Sequence, residues 1–242
     1  MIYLVLIICG VCAWFISTIA AGGAATILIP VIGILLGAQY VAPIISLAAL
    51  CSNPARTWFF REHVDWNVIK FLLPGSLIGA FIGAWSFSFL NPKWMQIVIA
   101  LFLISYVFQY QFGKSKLAFK MKKILFFPLG LLISFLSGLV GATGPVLNPF
   151  MLNYGLEKEN LVGTKSINSL AMQLTKLTTY TIFGVLTFEI ALYGILLGIG
   201  GIIGVYLARH HLNEIDPERF RFYTMLMMFV AGVLMLLKQI NF

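Results

Sequence analysis

Apolar runs of about 20 residues recur along nearly the whole of this 242-residue chain, and they leave little choice of architecture. A helical run of that length spans the roughly 30 Å hydrocarbon core of a bilayer, whereas a barrel strand needs only about 10 residues. Ten segments can be marked, at 2–20, 24–36, 40–61, 66–90, 93–112, 123–140, 145–154, 160–182, 188–209 and 219–239. Only 10% of the residues are charged, against roughly 25% in a soluble domain. The expected fold class is an all-α integral membrane protein. The run Ile2 to Ile19 has no basic residue before it and is too long for the core of a signal peptide, so it reads as a membrane helix.

Two of the segments are interrupted or shortened in the same way. Gly141-Ala142-Thr143-Gly144-Pro145 breaks the sixth run, and Ser17-Thr18-Ile19-Ala20-Ala21-Gly22-Gly23-Ala24-Ala25 breaks the first, about 120 residues earlier. Glycine weakens a helix and proline cannot sit in its interior without losing a hydrogen bond, but proline suits a first turn. A new helix is therefore expected to start near Gly144, with unpaired N–H groups able to face an anion. The segments after the breaks, 24–36 and 145–154, are too short to cross a bilayer comfortably. Each is expected to form a hairpin or re-entrant pair with the run before it.

The same order of features follows each break. A Gly (Gly37, Gly155) precedes a helix with polar residues and a late cation (Arg56, Lys176). A glycine-spaced helix comes next (Gly75, Gly79 and Gly83; Gly200 and Gly204). This is an internal duplication, read as repeats 1–112 and 124–242 of about five segments each, joined by the basic linker 113–123. The linker's lysines place it in the cytoplasm. If the first two segments of a repeat either both cross or both turn back, each repeat crosses an odd number of times. The basic bias also swaps between equivalent loops: Arg61 against the uncharged loop around Gly184, and Lys93 against the cation-rich stretch Arg209 to Arg221. Inverted repeats with both termini outside are the expectation.

The net charge of +8 accompanies no basic-aromatic nucleic-acid motif; most Lys and Arg sit at helix ends, as topology determinants. Cys9 and Cys12 form a C-x-x-C inside an apolar helix, without the fold a redox dithiol needs. No catalytic motif is present and the three histidines fall in loops, so neither an enzyme, a metal site nor a cofactor is expected. The informative residues are polar ones within membrane segments: Ser46, Ser52, Asn53 and Arg56 in the third, and Thr164, Lys165, Ser166, Asn168, Ser169, Gln173 and Lys176 in the eighth. Asn53 and Arg56, like Gln173 and Lys176, are three residues apart and share a helix face. Intramembrane cations without central acids favour an anionic ligand, and the alternative for Lys176 and Arg56 is snorkelling to the interface.

The pattern Ser17-x3-Ala21-Gly22-Gly23-Ala24-Ala25-x4-Pro30, then Val64-Asp65-Trp66, Gly141-Ala142-Thr143-Gly144-Pro145 and Gly163-Thr164-Lys165 resembles the TauE/SafE sulfite-exporter family, over nearly the whole chain. The resemblance implies a permease for sulfur oxyanions or organosulfonates with two related halves. The expected protein is a multi-pass secondary transporter of the cytoplasmic membrane, with a small anion as substrate and the lipid bilayer as surroundings. In that reading Gly22, Gly23, Thr143 and Gly144 cradle the anion, Arg56 and Lys176 balance its charge, and Asn53, Asn168 and Gln173 orient it. A passive anion channel and a non-transporting membrane scaffold are the alternatives. The direction of transport, the coupling ion and the oligomeric state, a homodimer included, stay open.

Overall fold

A computed structural model describes residues 2–19, 24–112, 121–141, 143–156 and 158–208, with 226, 229–230, 232–233 and 236–237. Among them all regular structure is helical: α1 (Ile2–Ile19), α2 (Ala24–Leu35), α3 (Ala38–Phe59), α4 (Trp66–Phe89), α5 (Pro92–Phe112), α6 (Phe126–Val140), α7 (Asn148–Tyr154), α8 (Lys158–Ile182) and α9 (Phe188–Ala208). Short 3₁₀ turns at Arg61–His63, Lys123–Leu125 and Gly144–Leu147 join or precede them. Three stretches, Trp66–Phe89, Lys123–Val140 and Phe188–Ala208, are long and apolar enough to cross a membrane by length and composition. The basic linker 113–120 and most of the tenth apolar segment lie outside the described residues.

The start of α7 differs from the sequence expectation. A 3₁₀ turn, not an α-helix, begins at Gly144, and regular α-helix begins only at Asn148. Pro145 and Pro149 both lack an amide hydrogen, so the chain can close an α-helical ladder only beyond them; Pro149 sits in the first turn of α7. Gly155, at φ +106°, ends that helix with a left-handed turn. Helix α2 has only 12 residues, about 18 Å at 1.5 Å per residue.

Small residues face inward and large apolar residues outward. On α4 the buried set includes Gly75, Ser76, Gly79, Ala80 and Gly83, while Ile78, Phe81, Ile82 and Trp85 are exposed. Lipid is as apolar as a leucine side chain, so helices here associate through close backbone approach rather than by hiding apolar surface. A Cβ at Gly75, Gly79 or Gly83 would land on the carbonyl oxygen of Phe127, Leu131 or Phe135 of α6. A Cβ at Gly10, Gly200 or Gly204 would do the same across α1 and α9.

These contacts also give the helix directions. Residue numbers rise together between α4 and α6 and between α1 and α9. They rise together between α3 and α9 as well, where Gly194 meets Leu47 and Gly198 meets Ala48 and Cys51. Helices α4 and α8 are parallel too, joined by Asp65 N–H to Thr164 Oγ1 at one end and by Phe87 against Tyr180 at the other. Helices α3 and α8 run antiparallel, with Asn53 beside Ser169 and Gly163 beneath the Phe60 carbonyl. Helices α1, α3 and α9 therefore point one way, and α4, α6 and α8 the other.

Replacing Gly79 with leucine forces α4 and α6 apart, a change expected to cost about 1–3 kcal/mol or more. Thermal unfolding in detergent, followed by tryptophan fluorescence, should show a clear drop in midpoint for Gly79→Leu and none for Ile78→Leu, one residue away on the exposed face.

Candidate functional site

The broken end of α6 is the centre of the polar interior. Gly141 closes the helix at φ +100°, a conformation that an L side chain rarely adopts, and its N–H bonds the Ser137 carbonyl. Space forbids a side chain as well, because a Cβ there would press on Ala42 Cα and Ile45 Cβ of α3. Breaking a helix inside the protein leaves the carbonyls of its last turn without helical partners, and a buried carbonyl needs a donor. Helix α8 supplies the donors. Lys176 Nζ donates to the Gly141 carbonyl at 2.7 Å, to Ser137 Oγ at 3.1 Å and to the Ser137 carbonyl at 3.4 Å. One turn on, the Tyr180 hydroxyl donates to the Gly138 carbonyl. Both side chains are 0% exposed.

Lys176 therefore does not snorkel. Its ammonium is held inside the protein at the negative end of a helix dipole, where a cation is stabilised. No acidic side chain is buried among the described residues, so carbonyl and hydroxyl dipoles alone balance the charge there. Tyr180 was not singled out from the sequence. Its place one turn after Lys176, on the same face, was the available signal.

Thr143 is also buried, and its Oγ1 donates to the Ile133 carbonyl at 3.0 Å, folding the loop back on α6. Gly144 follows as the first residue of the 3₁₀ turn. Lys176 thus meets the break itself at Ser137 and Gly141, and Thr143 and Gly144 lie in the loop that leaves it. Lys165 lies elsewhere on α8 and donates to Asn148 Oδ1 at the start of α7. Gly22, Gly23 and the side chain of Arg56 lie outside the described residues.

The other polar residues lie along α3 and α8, and Ser52 faces Gly201 of α9. Ser46, Ser52, Ser166 and Thr179 turn their hydroxyls back to carbonyls of their own helices, so those donors are committed. Asn53 Nδ2 donates to Ser169 Oγ at 3.0 Å across the seam between α3 and α8. Three buried oxygens on these two helices have no hydrogen-bond partner among the described residues: Thr57 Oγ1, Asn168 Oδ1 and Gln173 Oε1. An unpaired buried polar atom costs about 1–3 kcal/mol, so such atoms concentrate where a ligand or water completes them. Pro54 lies within α3 and cannot bond the Leu50 carbonyl, which adds a further open acceptor to the same stretch. Asn53 and Ser169 meet across the seam, Gln173 lies one turn after Ser169 on the same face of α8, and Asn168 is buried on a different face of that helix.

Two short motifs meet at the end of that seam. Asp65 caps α4 by accepting from the N–H groups of Asn67 and Val68, and its own N–H donates to Thr164 Oγ1. Gly163 lets the start of α8 lie directly on the Phe60 and His63 carbonyls. Val64-Asp65-Trp66 and Gly163-Thr164-Lys165, about 100 residues apart in sequence, form a single joint.

No curated protein sequence and no solved structure matches the chain. The model of the sulfite exporter TauE/SafE family matches residues 6–235, a span that holds both breaks, the α3–α8 seam and the Asp65–Thr164 joint. With this match over almost its whole length, the chain belongs to the sulfite exporter TauE/SafE family of membrane transport proteins.

Proposed function

We propose that the protein is a secondary permease of the cytoplasmic membrane that moves a small sulfur-containing anion, such as sulfite or an organosulfonate, by alternating access. The observation that carries this reading is Lys176, a fully buried cation at a helix break with no buried acid near it among the described residues. A cation at the bilayer centre costs roughly 2.5–3.5 kcal/mol on insertion scales. Carbonyl dipoles offset part of that cost, and a transient anion at the break would offset more. Thr143 and Gly144 border the same point. Gly22, Gly23 and Arg56 are their counterparts in the first half; Asn168 and Gln173 orient the substrate directly, and Asn53, held by Ser169, does so by bracing α3 against α8.

The two halves are inverted repeats in this proposal. Helices α1, α3 and α4 have α6, α8 and α9 as counterparts, and each counterpart runs in the opposite direction. Exchanging the halves turns the α1–α9 contact into α6–α4, and α3–α9 into α8–α4; both members of each exchange are present. Two bundles result, α1/α3/α9 and α4/α6/α8, each drawing helices from both halves. Glycine contacts hold backbone to backbone along the helices inside each bundle, whereas α3 and α8 meet between them through the Asn53–Ser169 side-chain bond and, at the end of the seam, through Gly163 on the Phe60 carbonyl. Rocking the bundles about that seam gives alternating access to a fixed site.

Three outcomes are expected. A cysteine added after Phe242 should react with an impermeant thiol reagent from outside the cell, and a cysteine at Ser115 should not; the reverse pattern overturns the orientation. Lys176→Gln keeps a donor but loses the charge. A charge-assisted hydrogen bond is worth about 1.5–3 kcal/mol, so sulfite affinity measured by calorimetry in detergent should fall roughly ten- to a hundredfold. Equal affinities would remove Lys176 from the site. In a background lacking native cysteines, Asn53→Cys and Ser169→Cys joined by a short bifunctional thiosulfonate should stop uptake into proteoliposomes until reductant is added. Unchanged flux through the linked protein would show that the seam does not move.

A further inference from the structure

In the inverted-repeat reading α3 and α8 are counterparts, and the hydrogen bond between them has no matching partner. Residues 120 apart are counterparts in these two helices, as Arg56 and Lys176 show, and the same offset relates Asn53 to Gln173 and Ala49 to Ser169. Applied to the bond from Asn53 Nδ2 to Ser169 Oγ, that offset gives a mirror pair in position only, Gln173 and Ala49. The antiparallel register agrees. Going one turn back on α3 from Asn53 and one turn on along α8 from Ser169 brings Ala49 level with Gln173. Ala49 is buried and has no polar atom in its side chain. Gln173 is 2% exposed, and its Oε1 has no partner among the described residues.

We propose that Ala49 is a specificity-determining residue, which by lacking a hydroxyl keeps the Gln173 amide free for the transported anion. This rests on the anion-permease reading given above and adds to it a residue that touches no charge. An amide head group carries two donors and an acceptor, and turning it by 180° exchanges them. Gln173 can therefore present N–H to an oxyanion oxygen, provided that no neighbouring side chain holds it. At the mirror position Ser169 does hold Asn53. One amide of the pair braces the two helices and the other is left for the ligand, both within about one turn of the point where the pseudo-two-fold relation centres the seam. That centre lies at Cys51 and Ala171, residues 120 apart that the register sets level with each other.

The test is Ala49→Ser, which completes the mirror bond by one hydroxyl group. A neutral hydrogen bond of about 0.5–1.5 kcal/mol competing with the ligand should weaken sulfite binding roughly two- to tenfold, read by calorimetry in detergent and as a raised KM for flux into proteoliposomes. In a Gln173→Ala background the same substitution should add no further loss, which a purely steric effect of serine would do. The reciprocal variant Ser169→Ala frees Asn53 and should tighten sulfite binding, giving a second reading if Ala49→Ser folds poorly. Wild-type affinity in both Ala49→Ser and Ser169→Ala, or an equal loss for Ala49→Ser in both backgrounds, overturns the inference while leaving the anion permease standing. A wild-type protein that binds none of sulfite, sulfate, thiosulfate or taurine overturns the functional reading and this inference together.

Discussion

A helix that stops inside a dry protein interior leaves carbonyl groups that need donors from elsewhere, and the polar architecture of this protein follows from how α6 meets that requirement. Lys176 and Tyr180 reach from α8 to the carbonyls of Ser137, Gly138 and Gly141. The contact fixes the position of the break and ties α8 to it. It also accounts for a charged side chain that is 0% exposed without an acidic partner. The ammonium and the open end of the helix dipole need each other. Removing either would leave the other as an uncompensated buried group, which is why the break and the cation belong to one unit rather than two.

Packing around that unit uses two different kinds of contact, and the difference bears on movement. Glycine against carbonyl, as in Gly79 on Leu131, brings backbones within van der Waals contact and tolerates no sliding without a clash. Side-chain hydrogen bonds such as Asn53 to Ser169 can break and reform at modest net cost, because the exchange leaves only about 0.5–1.5 kcal/mol at stake. A protein that has both kinds has places that stay together and places that can part. The polar seam coincides with the second kind, so the groups best suited to meet a ligand are also those at the joint between bundles.

Helix positions were legible in the sequence because the bilayer imposes a length. The runs read at 2–20, 66–90 and 188–209 appear as Ile2–Ile19, Trp66–Phe89 and Phe188–Ala208. The close approach signalled by Gly75, Gly79 and Gly83 was legible for the same kind of reason: small residues at every fourth position have one common use. Two things were not legible. The onset of α7 moved from Gly144 to Asn148 because two prolines act jointly, and each alone would have permitted a helix start. The partners of Lys176 lie 35 and 39 residues away on another helix. Helical periodicity gives the face a residue occupies, and says nothing of what stands opposite. Snorkelling and a buried clamp are identical at the level of spacing; only the geometry of the break separates them.

Symmetry accounts for what spacing could not. In the inverted-repeat reading proposed above, an offset of 120 gives each polar residue of α8 a counterpart in α3, and departures from identity become informative. Arg56 and Lys176 keep a cation, and Asn53 and Gln173 keep an amide. Ser169 and Ala49 do not keep a hydroxyl. A perfectly symmetric seam would satisfy both amides or neither: the first would brace the helices and leave no free ligand group, and the second would leave two buried amides unbraced. The observed difference gives one of each. A duplicated scaffold of this kind can thus acquire a binding group by losing a side-chain atom at one of two equivalent positions, without any change in the packing that holds its helices in place.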